Sequence, residues 1–206
     1  MRIVVAATAE QWDEFTCCTD TIEWIKANDE RDFLLFPDAD AYFNLTNNRL
    51  IDDYAILNKP VFIHALSITL LEMRTPANVF RFNGWAGFLK RQVWELAGIP
   101  DEKTVTVFNQ MGKKFIMVGD EPGLGAARII SMIINEAFFT VGDGVCSREE
   151  IDIAMKLGTN YPLGPFEWTT RIGAENILDL LQKLTLTDKR YQPAPLLVQE
   201  AGEKRS

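Results

Sequence analysis

The 206-residue chain contains one histidine, His64, and three cysteines, of which Cys17 and Cys18 are adjacent and Cys146 stands alone. No CxxC pair exists and a single imidazole is available, which argues against a zinc site and against a dithiol redox motif. Sparse, odd-numbered cysteine of this kind reads as reduced thiols in a cytoplasmic protein. Basic residues are also in short supply: 21 Lys and Arg face 29 Asp and Glu, a net charge of −8. Binding to a phosphate backbone requires a cationic face, so nucleic acid is not an expected partner. Long apolar runs are missing as well. The most apolar stretch, Val61–Leu71, carries His64, Ser67 and Thr69 and cannot span a bilayer. The opening MRIVVAATAEQW is too short in apolar residues for a signal-peptide core, and there is no internal repeat or low-complexity segment. What is present, 47% apolar and 24% charged residues, is ordinary globular composition.

Two patterns divide the chain. Up to residue 119, short runs rich in Val, Ile, Phe, Tyr and Thr predict strands at Ile3–Ala6, Thr21–Ile25, Ala41–Leu45, Pro60–Ile63, Val79–Phe82 and Phe115–Val118. A helix is predicted over Asp101–Met111, closed by Gly112. Short buried strands alternating with helices imply a mostly parallel α/β sheet. Beyond Gly119 the period becomes helical: Ala126, Ile129, Ile130, Ile133, Ile134, Ala137, Phe138 and Val141 mark one wide apolar stripe. Ser147 and Glu150 form a capping box that opens a second helix ending near Gly158, and Ile177, Leu178, Leu181 and Leu184 mark another. The expected organisation is an α/β Rossmann-like domain over 1–119 and an all-α domain over 120–206.

The segment EEIDIAMKLGTNYPLGPFEW, Glu149–Trp168, resembles the C-terminal signature of the L-3-hydroxyacyl-CoA dehydrogenase family. GKKFIMVGDEPG and ARIISMIINEA precede it in the family's order, RYQPAPLLVQEAG follows as its closing helix, and KPVFIHALSIT and NVFRFNGWAGFLKR resemble worn versions of its last nucleotide-domain strands. The resemblance implies a nucleotide-binding domain followed by a helical domain through which subunits dimerise. It also implies an ancestral NAD-dependent oxidation of a 3-hydroxyacyl-CoA.

The chemistry can be tested position by position. The GxGxxG turn that admits a pyrophosphate falls on Ala6, Thr8 and Gln11, none of them glycine. Thr8 and Gln11 form instead a T-x-x-Q capping box, which would satisfy helix-end N–H groups that otherwise bind phosphate. A ribose-binding acid about twenty residues on is not clearly placed, Glu23 and Asp20 being candidates by proximity alone. The family's catalytic His and its Glu partner fall near Ala86 and Gly98, its Ser at His64 or Ala65, and its Asn at Ala127. Glu95 and Glu72 lie near but lack an imidazole to orient. His64, after a strand whose carboxyl end would line a ligand crevice, is the one candidate base; the competing expectation is a half-buried histidine bonded to backbone.

Asn83, Trp85, Lys90 and Arg91 are candidates for substrate binding. Trp85 and Trp94 flank the two cations and could stack an adenine, though an aromatic core edge with two solvated cations is the somewhat favoured expectation. Asn135 and Glu136 on the apolar stripe are expected to make interface or interdomain hydrogen bonds, and Asn160 to Pro165 a rigid turn. The expectation is therefore a 3-hydroxyacyl-CoA dehydrogenase-like homodimer without NAD-dependent activity, binding acyl-CoA or a partner enzyme. No cofactor, metal, nucleic acid or membrane is expected. The alternatives are a divergent active dehydrogenase using NAD with His64 as base, and a structural interaction module.

Overall fold

The computed structural model describes residues 1–16, 21–46 and 54–203; Cys17, Cys18 and Asp20 lie outside the described residues. The chain forms two compact units, Met1–Leu124 and Gly125–Ser206. The division falls past the expected 119–120 because the intervening residues are tied into the first unit. Asp120 pairs with Arg81, and Gly123 N–H donates to Leu66 O at 2.7 Å.

The first unit is a seven-stranded sheet of β1 (Arg2–Ala6), β2 (Glu23–Ala27), β3 (Ala41–Asn44), β4 (Val61–His64), β5 (Val79–Phe82), β6 (Val93–Ala97) and β7 (Lys114–Met117). Its order is β2-β1-β3-β4-β5-β6-β7, parallel throughout except for the antiparallel β5–β6 pair. β3, β4 and β5 are buried along their whole length, as strands covered on both faces must be. Strand β6 is absent from the sequence reading. Lys90, Arg91 and Gln92 lead into it and Glu95 interrupts its apolar residues, so only Trp94, Leu96 and Ala97 point to the core. β2 lies two residues later than expected, with Glu23 and Lys26 exposed and Ala27 buried.

The two faces of the sheet are covered differently. One carries an aromatic layer in which Phe43 stacks on Phe62 at 4.5 Å, Phe62 on Phe80 at 5.3 Å and Phe82 on Trp94 at 5.2 Å. It is closed by Phe15 of α1 (Ala9–Phe15) and by Val107 and Phe108 of α3 (Glu102–Gln110). Each such ring buried contributes roughly 1.5–3 kcal/mol. The other face holds Val4, Tyr42, Val61, Ile63 and Val79. It is covered by 3₁₀ turns at Glu30–Leu35 and Tyr54–Leu57 and by the single-turn α2 (Leu70–Met73).

The second unit contains α4 (Ala126–Gly142), α5 (Arg148–Thr159), α6 (Pro165–Ile172), α7 (Ala174–Thr185) and α8 (Pro195–Glu203). Ser147 and Glu150 make the capping box of α5, and Asn160 ends that helix in the left-handed region at φ 56°. Asp152 then accepts from Phe166 N at 2.8 Å and Glu167 N at 3.2 Å, capping α6 from α5. Gly164 has to be glycine, since a Cβ there would lie 2.2 Å from Asp152 Oδ1. Asn135 bonds neither to another domain nor to a free surface: its amide donates to Gln192 O at 2.9 Å and accepts from Ala194 N at 2.8 Å, fastening α4 to the approach to α8. The whole is a Rossmann-like α/β domain followed by a helical domain. No helix among the described residues is long and apolar enough to cross a membrane.

Candidate functional site

In an open parallel sheet the ligand crevice forms at the carboxyl ends of the strands where the winding direction reverses. Here that point is the gap beside β1, which has β2 on one side and β3 on the other. The N-terminus of α1 faces it, and Thr8 and Gln11 close the capping box there: Thr8 Oγ1 accepts from Gln11 N at 3.3 Å and Gln11 Oε1 from Thr8 N at 3.1 Å. The Gln11 side chain does more than cap. Its Nε2 donates to Leu45 O, beyond β3, and to Gly84 O, beyond β5, each at 2.9 Å. One buried amide thus ties together the ends of three strands, with both its N–H groups and its carbonyl in use. Three residues further along α1, Glu14 accepts from Gly87 N at 2.7 Å and holds the helix to the same loop.

A dinucleotide does not fit these residues. A pyrophosphate needs free N–H groups at the helix end and close backbone approach; here the capping box engages the Thr8 and Gln11 N–H groups, and the Gln11 side chain lies across the turn to Leu45 and Gly84. Nor is Glu23 placed for a ribose: it lies on the outer strand and accepts from Arg2 Nε at 3.1 Å. A second acid buried near the crevice, besides Glu14, is Glu30, after β2, which accepts from Asn44 Nδ2 at 2.5 Å and from the Tyr54 hydroxyl. The sequence reading passed over it, as Glu30 stands in an acidic stretch that resembles a solvated turn.

His64 closes β4 and is buried. Its Nδ1 accepts from Gly84 N at 3.1 Å, and Gly84 permits this approach because a Cβ would stand 2.8 Å from His64 Cβ. Burial pushes the imidazole pKa down to about 4; the Phe82 backbone opposes the shift and the Arg81 charge adds to it. The imidazole is neutral at pH 7 and serves as an acceptor for backbone. A group so placed is a poor base, since its lone pair is engaged and its conjugate acid is strongly disfavoured.

Asn83 and Trp85 are buried against the same loop, with Asn83 Oδ1 accepting from Trp85 N at 3.1 Å. Asn83 Nδ2 is buried without a partner. Lys90 and Arg91 are exposed, and the Arg91 guanidinium lies 4.1 Å from the Phe88 ring centroid. Trp94 stacks into the aromatic layer and donates Nε1–H to Arg91 O at 3.0 Å. Trp85 and Trp94 therefore belong to the core and do not form a clamp around the two cations. Ala86 and Ala127 are buried, and Gly98 turns at φ 133° against Phe80.

The sequence reading left Arg81 without a role. Its guanidinium is wholly buried, donates Nε–H to Ala65 O at 2.6 Å and pairs with Asp120. Asp120 also accepts from Leu70 N at 3.1 Å and Leu71 N at 3.2 Å, so one carboxylate neutralises a buried cation and caps α2. An arginine in a strand as apolar as VFRF is the signal that pointed there, because charged residues are almost never fully buried unpaired. Among the described residues no group of three His, Cys, Asp or Glu side chains could hold a metal ion.

Residues 123–205 match the family described as 3-hydroxyacyl-CoA dehydrogenase, C-terminal domain. The 3-hydroxyadipyl-CoA dehydrogenase of Escherichia coli (strain K12) is 42% identical over 101 residues, 48% of this chain and 21% of its own length. The 3-hydroxybutyryl-CoA dehydrogenase of Bradyrhizobium diazoefficiens is 42% identical over 97 residues, 45% of this chain and 33% of its own. The chain thus spans a third or less of these curated relatives. The crystal structure of (S)-3-hydroxybutyryl-CoA dehydrogenase from Ralstonia eutropha superposes with a TM-score of 0.68 at 19% identity, covering 98% of this chain and 94% of that one, a likeness of fold.

Proposed function

We propose that this chain, whose residues 123–205 belong to the C-terminal domain family of the 3-hydroxyacyl-CoA dehydrogenases, does not carry out their NAD-dependent oxidation and acts as an acyl-CoA-binding or regulatory homodimer in the cytoplasm. The observation that carries the reading is the Gln11 side chain, which spans the crevice from the α1 capping box to Leu45 and Gly84. A calorimetric titration of NADH tests it. The expected result is no saturable heat; one-per-chain binding would sink the reading, and loss of any dehydrogenase activity in His64→Ala would then identify a base.

Two further observations support the binding role. The side chains of Ile129, Ile153 and Leu157 on α4 and α5 are exposed to solvent, an apolar surface of the kind that subunits cover. Sedimentation should show a dimer that Leu157→Glu weakens. The exposed Lys90 and Arg91 supply the cations that a CoA phosphate needs. Titration with acetyl-CoA should give saturable binding that Lys90→Glu with Arg91→Glu abolishes; unchanged binding would remove these residues from the site.

A further inference from the structure

We propose a separate ligand site on the opposite edge of the same sheet, one that takes a small carboxylate with a short apolar body. A cavity of about 300 Å³ opens beside Pro60 and Asn78, which precede β4 and β5, and beside Ile99, which follows β6. Because β6 runs antiparallel to β5, its carboxyl end arrives at the amino ends of β4 and β5, away from the Gln11 crevice. α3 starts at the rim, and two of its first residues, Asp101 and Lys103, line the space.

The lining divides into an apolar wall and a charged mouth. Pro60, Phe80 and Ile99 form the wall. Ile99 is 82% exposed, an apolar side chain left in water at the entrance of a cavity, where a ligand would cover it. Gly98 turns the chain there at φ 133°, and a Cβ at that position would stand 2.7 Å from the Phe80 ring. The turn that exposes Ile99 and the seating of Phe80 thus depend on the same glycine.

Lys59 and Lys103 supply the charge. Among the described residues neither side chain enters a hydrogen bond or a salt bridge, and both line the cavity, the Lys103 charge lying close enough to Asp101 to favour its ionised form. The carboxylate in the lining, Asp101, is engaged by α3: its Oδ1 accepts from Thr104 N and from Thr104 Oγ1, each at 2.8 Å. Two ammonium groups against one committed carboxylate favour a monoanion, and the apolar wall favours one with a hydrocarbon body. At roughly 30 Å³ for each water-sized group, the volume accommodates a ligand of about ten heavy atoms at most. A six-carbon carboxylate fits that description: the carboxylate meets the ammonium groups, and the chain lies on Ile99, Pro60 and the edge of Phe80.

The test is an NMR titration of the full chain with hexanoate, with acetate and hexylammonium as controls. Hexanoate should bind saturably in the millimolar range, shifting the resonances of residues 58–60 and 99–103, and acetate about tenfold more weakly. Lys59→Gln with Lys103→Gln, both surface changes, should weaken hexanoate about tenfold or more. Ile99→Ser should bring hexanoate close to acetate. The proposal is overturned if hexanoate causes no saturable shift, if the double variant binds it as well as the parent, or if hexylammonium binds equally. None of these outcomes depends on whether NADH binds, so the two readings stand or fall apart.

Discussion

Replacing Asp120 by Asn removes the carboxylate partner of a guanidinium that has no exposed surface. Breaking a buried ion pair from one side costs about 3–5 kcal/mol, because the remaining charge stays desolvated. Here the Asp120 side chain is 28% exposed, so water already screens part of the attraction, and about 2–3 kcal/mol is the figure to expect. Asn keeps the shape but has one acceptor oxygen where the carboxylate uses both, so one of the two α2 N–H bonds is given up along with the charge. With a slope of about 1–3 kcal/mol/M in urea, the midpoint of the first unit should fall by roughly 0.7–3 M, followed through its tryptophans. Arg81→Met should cost less than Asp120→Asn, since it leaves the carboxylate near water and fills the space with apolar atoms. The double variant should then be more stable than Asp120→Asn alone. If Asp120→Asn unfolds within about 0.5 kcal/mol of the parent, the pair contributes nothing measurable and Arg81 is held by its backbone acceptors.

Three other outcomes are expected. His64 has a folded pKa of about 4, below its ordinary value of 6.5, so the folded state favours the neutral ring. Its contribution is complete above about pH 6.5 and is lost as the pH falls toward 4, by about 3 kcal/mol, because the unfolded chain takes up the proton first. Proton NMR of this sole histidine should show no titration between pH 8 and 5.5, and His64→Gln should remove that acid slope from the stability curve. Gln11→Ala should cost about 1–3 kcal/mol in urea unfolding by leaving buried carbonyls at Leu45 and Gly84 short of a donor; a neutral result would mean that water replaces the amide. Gly164→Ala should displace the Asp152 carboxylate from the start of α6, costing about 0.5–2 kcal/mol, the value of a lost cap, read as a lower thermal midpoint.

Local devices were legible in the sequence and long-range ones were not. The Thr8–Gln11 and Ser147–Glu150 boxes are readable because donor and acceptor lie three residues apart, a spacing that the helix itself imposes. The stop at Gly112, which turns at φ 63°, is readable for the same reason. What Gln11 does with its other end is not, as Leu45 is 34 and Gly84 73 positions away and no local pattern records that meeting. Strand β6 was hidden because it has one charged and one exposed apolar residue in five, and its antiparallel direction is a property of the sheet. Trp85 and Trp94 show the limit of a local pattern: the aromatic–cation spacing suits a clamp or a core edge, and the register of β5 and β6 decides for the core edge the sequence reading favours.

The Gln11 bridge also has an evolutionary consequence. Substituting glycine at that position gives up two hydrogen bonds and the capping box at once, while Ala6 and Thr8 still deny a phosphate its approach. A first step toward a glycine turn at this position therefore begins with a loss of stability. Proteins sit only slightly above the stability that selection requires, so such a step is removed before a second one can follow. One amide side chain thus makes the arrangement hard to dismantle stepwise: because it links three strand ends, single substitutions can refine it more readily than they can replace it.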